Sequence, residues 1–194
     1  MEQSSIIQIS NQQKKVAITY SSAESKLAAE ILYSYLEKSL PNTFEIKDKN
    51  ITKSDAQIIL EIQKNNKELK DQEFILKSNS QDISLLATNL KSLKYAVYTL
   101  LEKWEFRKFT ATVSYIPKPD AFIFPKNFYQ KYQPTFAYRT LLYPDSYDQA
   151  FREWHKLDWF NDDFGLWGHT FDRLVPPKTH FKTNPKLYAL YEGK

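Results

Sequence analysis

With 194 residues, 42% of them hydrophobic, the chain is long enough to bury the core of one large domain or two small ones. Its formal charge of +4 is spread evenly: residues 1–117 hold 16 Lys and Arg against 14 Asp and Glu, and residues 118–194 hold 11 against 9. No basic arm or stripe marks a nucleic-acid partner, the absence of cysteine excludes disulfides and thiolate metal sites, and no segment approaches the roughly 20 apolar residues of a membrane span.

The amino terminus, MEQSSIIQ, lacks the basic start and long apolar run of a signal peptide. The run KVAITY at 15–20 is short, β-branched and apolar, and predicts a buried strand. A helix follows: Ser21 and Glu24 fit a capping box, and Ala23, Leu27, Ile31 and Tyr35 beside Ala28, Leu32 and Leu36 form an apolar stripe that stops near Pro41. Residues 43–47 alternate as a strand with one wet face, and 57–62 read as another. Residues 72–77 and 82–87 are placed to pair across the polar loop 78–81.

A second helix is expected from Thr88 or Asn89, with Leu90, Leu93, Val97, Leu100, Leu101 and Trp104 at the 3.6-residue period, covering the same sheet face as the first. One more strand is expected at 111–116. Prolines at 117, 119 and 125 then restrict their predecessors to extended backbone, as in a linker or an edge strand. The aromatic content also changes there, with 11 Phe, Tyr and Trp in residues 1–117 and 19 in residues 118–194. Beyond Pro134, residues 136–142 read as a buried strand, 147–156 as a helix, and 166–170 and 187–191 as further strands, the start of a parallel β/α arrangement.

All three glycines and two of the three histidines fall in residues 165–194. Gly165 and Gly168 bracket Leu-Trp ahead of His169, which points to backbone that turns tightly or approaches something closely. The acids near this run fit turn and helix-surface spacing: Asp162 and Asp163 read as a solvated turn, and Asp145, Asp148, Glu153 and Asp158 as surface groups. His155 and His180 make no metal-ligand spacing with His169, so no metal site and no cofactor are expected.

Three stretches carry a family resemblance: KVAITY (15–20) with AAEILYSYL (28–36), LKYAVYTLLE (93–102), and GHTFDRLVPP (168–177) with FKTNPKLYALYEGK (181–194). Together they resemble the amino-terminal region of bacterial carbohydrate-active proteins related to the alpha-glucuronidases of glycoside hydrolase family 67, and the accessory domain is of the kind that precedes the barrel in beta-N-acetylhexosaminidases. The resemblance implies an α/β (α+β) fold: a small mixed sheet with two helices at 10–117, a linker at 118–133, and at 134–194 the first β/α units of an incomplete (β/α)8 barrel. It also implies a carbohydrate partner and a periplasmic or extracellular setting.

A whole barrel takes about 250 residues, and glycoside hydrolysis uses two carboxyl groups flanking the bond. In the resembling enzymes those acids come from later strands, so the expectation is an accessory domain plus part of a substrate cleft, inactive alone, with self-association through an exposed barrel edge. The other reading is a non-catalytic carbohydrate-binding or protein-interaction module. Either way the candidate substrate-binding residues are His169, which can hydrogen-bond a sugar hydroxyl or be satisfied by a carbonyl; Arg139, which can bind a hydroxyl or carboxylate with its planar fork or close a strand end as an ion pair; and Trp167, which offers a flat face to a sugar or packs in the core.

Overall fold

A computed structural model describes residues 5–12, 15–49, 57–159 and 174–189. It divides into two compact units, Met1–Asp158 and Trp159–Lys194.

The first unit is built on a six-stranded mixed sheet in the order β10-β5-β6-β4-β2-β3. Its parallel part is β2 (Val16–Tyr20), β3 (Phe44–Asp48), β4 (Gln57–Ile62) and β6 (Ile83–Ala87). The antiparallel part is β5 (Phe74–Ser78), paired with β6, and β10 (Tyr129–Tyr132), paired with β5. The sequence places β2, β3, β4 and the β5–β6 hairpin within a residue or two of these bounds. Strand alternation sends Val16, Ile18, Phe44, Ile58, Leu60, Phe74, Leu76, Ile83 and Leu85 to one buried face.

Two helices cover that face and pack on each other: α1 (Ala23–Ser39) and α2 (Leu90–Lys103). The capping box of α1 lies one residue further on than expected, because Ser25 closes it as well as an acid can: the Ser25 N–H donates to Ser22 Oγ and the Ser22 N–H to Ser25 Oγ. The buried stripe rotates accordingly to Ser25, Ala28, Ala29, Leu32, Leu36 and Ser39, and Leu27 is exposed. Four of those six side chains are small: Ser25, Ala28, Ala29 and Ser39. α2 starts at the N-cap Asn89, and every residue from Tyr95 to Leu101 is buried, as suits a helix enclosed on all sides.

Three strands lie where the sequence offers only weak local signals. β1 (Ile6–Ser10) pairs antiparallel with β9 (Ala121–Pro125), and Ile7, Ile9, Phe122 and Phe124 close one end of the core against Trp104 and Phe44. β10 ends the main sheet. Within the proline-marked stretch, Pro117 and Pro119 lie outside any strand and Pro125 ends β9. The strand expected at 111–116 shrinks to β8 (Ser114–Tyr115), paired with β7 (Arg107–Lys108).

The stretch 136–142 is not a strand. Phe136 is 69% exposed and Leu142 63%, so its apolar residues are without a sheet to join, and hydrogen bonds to other loops hold it instead: Gln72 Nε2 donates to Ala137 O and the Asp158 N–H to Arg139 O. The expected helix is present but short, α3 (Gln149–Trp154), following a 3-10 turn at Pro144–Tyr147. Trp154 is buried against Tyr35 and Tyr98.

In the second unit, α4 (Pro177–His180) is followed by a 3-10 turn at Pro185–Leu187 where a strand was expected to begin. Here Phe181 packs on Tyr188, whose hydroxyl donates to Val175 O. The strand expected at 166–170 and the residues 190 and 191 lie outside the described residues. No described helix is long and apolar enough to cross a membrane.

Candidate functional site

The carboxyl ends of parallel strands are where open α/β sheets place their ligand crevices, because the loops diverge there. At this edge β6 ends on Ala87, which stands opposite Phe74 at the start of β5, and Phe74 stands opposite Tyr132 at the end of β10. The Phe74 and Tyr132 rings stack, with centroids 4.7 Å apart and planes 13° from parallel.

Beside this pair is a pocket of about 270 Å3, lined mainly by carbon. Phe74, Tyr95 and Tyr132 supply aromatic surface, Gln72, Gln133 and Arg139 supply hydrogen-bonding groups, and Pro134, His155 and Lys156 complete the wall. No carboxylate is among these lining residues. Tyr95 comes from the first half of α2, His155 and Lys156 from the exit of α3, and Gln72 from the loop ahead of β5.

Arg139 is held at three points. Its Nε donates to Lys156 O at 3.0 Å, Nη1 to Phe136 O at 2.6 Å and Nη2 to Gln72 Oε1 at 2.8 Å. A guanidinium has five N–H groups, so two lie beyond these three bonds, and the Arg139 side chain also reaches the Tyr95 hydroxyl. The guanidinium carbon lies 5.8 Å from the centre of the Tyr95 ring, a cation–π distance. Among the described residues no ion pair of the Arg139 guanidinium is seen, and Asp158 accepts the Arg139 backbone N–H at 2.9 Å.

Asp158 is 7% exposed, and its other oxygen takes Lys91 Nζ at 2.5 Å. Burial opposes the charge on Lys91, but its bond to Asp158 and the nearby Tyr95 and Asp71 leave its pKa raised on balance. The Tyr95 hydroxyl is buried without a hydrogen bond of normal geometry. Burial is the main cause raising its pKa, partly offset by the Lys91 charge, so it stays protonated at neutral pH. His155 is fixed by its Nε2 against Lys108 O at 2.8 Å and by its ring against Phe151.

The acids read as surface groups have other duties. Asp158 is buried in the ion pair, Asp148 caps α3 by accepting the Phe151 N–H at 2.6 Å, Asp145 accepts the Ala111 N–H at 2.7 Å, and Glu153 bonds Lys94, Tyr98 and Gln149. Among the described residues no group of acids and histidines has metal-binding geometry.

Of the three candidate residues, Arg139 lines the pocket, whereas His169 and Trp167 lie outside the described residues. Gln72, Phe74, Tyr95 and Tyr132 were not singled out in the sequence as site residues. They come from separate elements with no shared spacing, and only the β5–β10 pairing brings Phe74 to Tyr132.

A profile of the family described as a domain of unknown function (DUF4838) matches residues 108–194. No curated protein matches. Among solved structures, a family GH20 exo-beta-N-acetylglucosaminidase from Vibrio harveyi, in complex with N-acetylglucosamine, is 18% identical over 69% of this chain and 18% of its own, with a TM-score of 0.46. A family GH115 4-O-methyl-alpha-glucuronidase with specificity for decorated arabinogalactans is 18% identical over 69% of this chain and 19% of its own, with a TM-score of 0.49. The chain thus spans about a fifth of the length of these two structures.

Proposed function

We propose that this chain is a non-catalytic part of a carbohydrate-active protein, an accessory domain with part of a substrate cleft, and that the pocket at Arg139 holds a single sugar ring. The observation that carries this reading is the pairing of aromatic walls with a guanidinium fixed at three points and holding N–H groups beyond those three bonds. A sugar presents C–H faces that suit aromatic rings and an equatorial girdle of oxygens that suits a planar donor. Pockets for drug-sized ligands run roughly 300–1,000 Å3, so a pocket of about 270 Å3 suits one monosaccharide. The motif at 168–177 supports the same reading through its resemblance to alpha-glucuronidase relatives, whose sugar carries a carboxylate, and on that resemblance we propose His169, with Trp167 two residues before it, as cleft residues of the parent protein.

The test is titration of the 15N-labelled 194-residue chain with methyl alpha-glucuronoside and with methyl beta-N-acetylglucosaminide. Expected are shifts at Gln72, Tyr95, Tyr132 and the Arg139 Nε–H with at least one sugar, abolished in Tyr132→Ala. Perturbations scattered over the surface, or none at the pocket, would refute the assignment. Turnover of an aryl glycoside by the purified chain would refute its non-catalytic part, because among the described residues no carboxylate lines the pocket.

A further inference from the structure

We infer that Gln72 is the positioning residue of this pocket: it sets the plane of the Arg139 guanidinium and, being neutral, leaves the positive charge available to a ligand. The inference rests on the sugar-pocket reading for its ligand but not for its geometry. Gln72 has φ 63°, the left-handed region that suits glycine or asparagine, and the residue is 9% exposed. A long side chain at such a backbone position disfavours the fold unless its contacts offset the cost. Both ends of its amide are used: Oε1 accepts from Arg139 Nη2 at 2.8 Å, and Nε2 donates to Ala137 O at 2.7 Å. Chemistry fixes the orientation of that amide, because arginine only donates and a carbonyl only accepts. The remaining two of these three anchors of Arg139 are main-chain oxygens, so Gln72 is the side-chain anchor through which a substitution can tune the fork.

A carboxylate at position 72 would also accept from Nη2, but it would neutralise the guanidinium. Gln72→Glu should therefore weaken methyl alpha-glucuronoside by roughly tenfold, the scale of one charged hydrogen bond, while changing methyl alpha-glucoside by less than about threefold. Gln72→Met, which removes both bonds, should weaken the two sugars together. It should also merge the slowly exchanging Arg139 Nη signals that the wild-type protein shows without ligand. Equal loss of both sugars in Gln72→Glu, or Nη signals unchanged in Gln72→Met with the fold intact by circular dichroism, would overturn the inference. If wild-type chain binds neither sugar, the sugar reading fails, and the ligand-free Nη signals still decide the role of Gln72.

Discussion

Tyr95→Phe should leave the melting temperature unchanged or raise it, because the hydroxyl it removes is buried and meets Arg139 only outside normal hydrogen-bond geometry. An unsatisfied buried polar group costs about 1–3 kcal/mol, so the phenylalanine ring recovers some of that while keeping the packing and the face under Arg139. A clear fall in melting temperature would mean that the hydroxyl is satisfied in solution. Asp158→Ala has the opposite sign. Its carboxylate joins Lys91 to the Arg139 backbone from a site only 7% exposed. Losing one partner of a fully buried pair costs about 3–5 kcal/mol, and with Lys91 half exposed the expected loss is about 1–3 kcal/mol by urea denaturation. The sequence showed Arg139 as a residue with a polar task but could not show Asp158 as its neighbour, since helix-surface spacing alone does not reveal that a loop folds over an acid.

α3 is a two-turn element held by side chains rather than by its own length, because helices this short are marginal on their own. It is clipped to α1 and α2 by the Trp154 ring against Tyr35 and Tyr98, and to α2 by Glu153, which bonds Lys94 Nζ at 2.8 Å and accepts from Tyr98 Oη at 3.3 Å. Burial alone would raise the Glu153 carboxyl, but the bonds from Lys94 and Gln149 and the Lys94 charge hold it below the ordinary value of 4.5. Its stabilisation is thus complete above that value and is lost as pH falls through the lowered one. Burial, then the Glu153 charge, pushes Tyr98 well above the ordinary tyrosine value of 10.0. That stabilisation is complete below 10.0 and is lost as pH rises beyond it. Thermal melts across pH should therefore decline at both ends, and Glu153→Gln should flatten the acid limb. An acid limb unaffected by Glu153→Gln would show that the clip does not contribute to it. The pattern of residues 147–156 was readable as a helix from sequence; the partners that hold it come from α1 and α2 and were not.

Across the whole molecule, sequence and structure agree wherever a local pattern is also the packing pattern. β4 has the predicted bounds, and the β5–β6 hairpin and the Asn89 cap lie where alternation and capping chemistry put them. They part where an element depends on a distant partner. β1 pairs with β9 more than a hundred residues on, and residues 136–142 look like a strand only if a sheet edge waits for them. The compact unit therefore runs to Asp158, past both prolines and loops, because Phe151 and Trp154 complete its core. A chain cut after Asp158 should unfold in one cooperative transition by circular dichroism. One cut after Pro134 removes Trp154 from Tyr35 and Tyr98, together with Arg139 and one wall of the pocket. Loss of a buried tryptophan costs about 3–5 kcal/mol, so this shorter chain should melt several degrees lower. Identical melting of the two truncations would place the boundary of the folding unit before Pro134 and make α3 an appendage rather than part of the core.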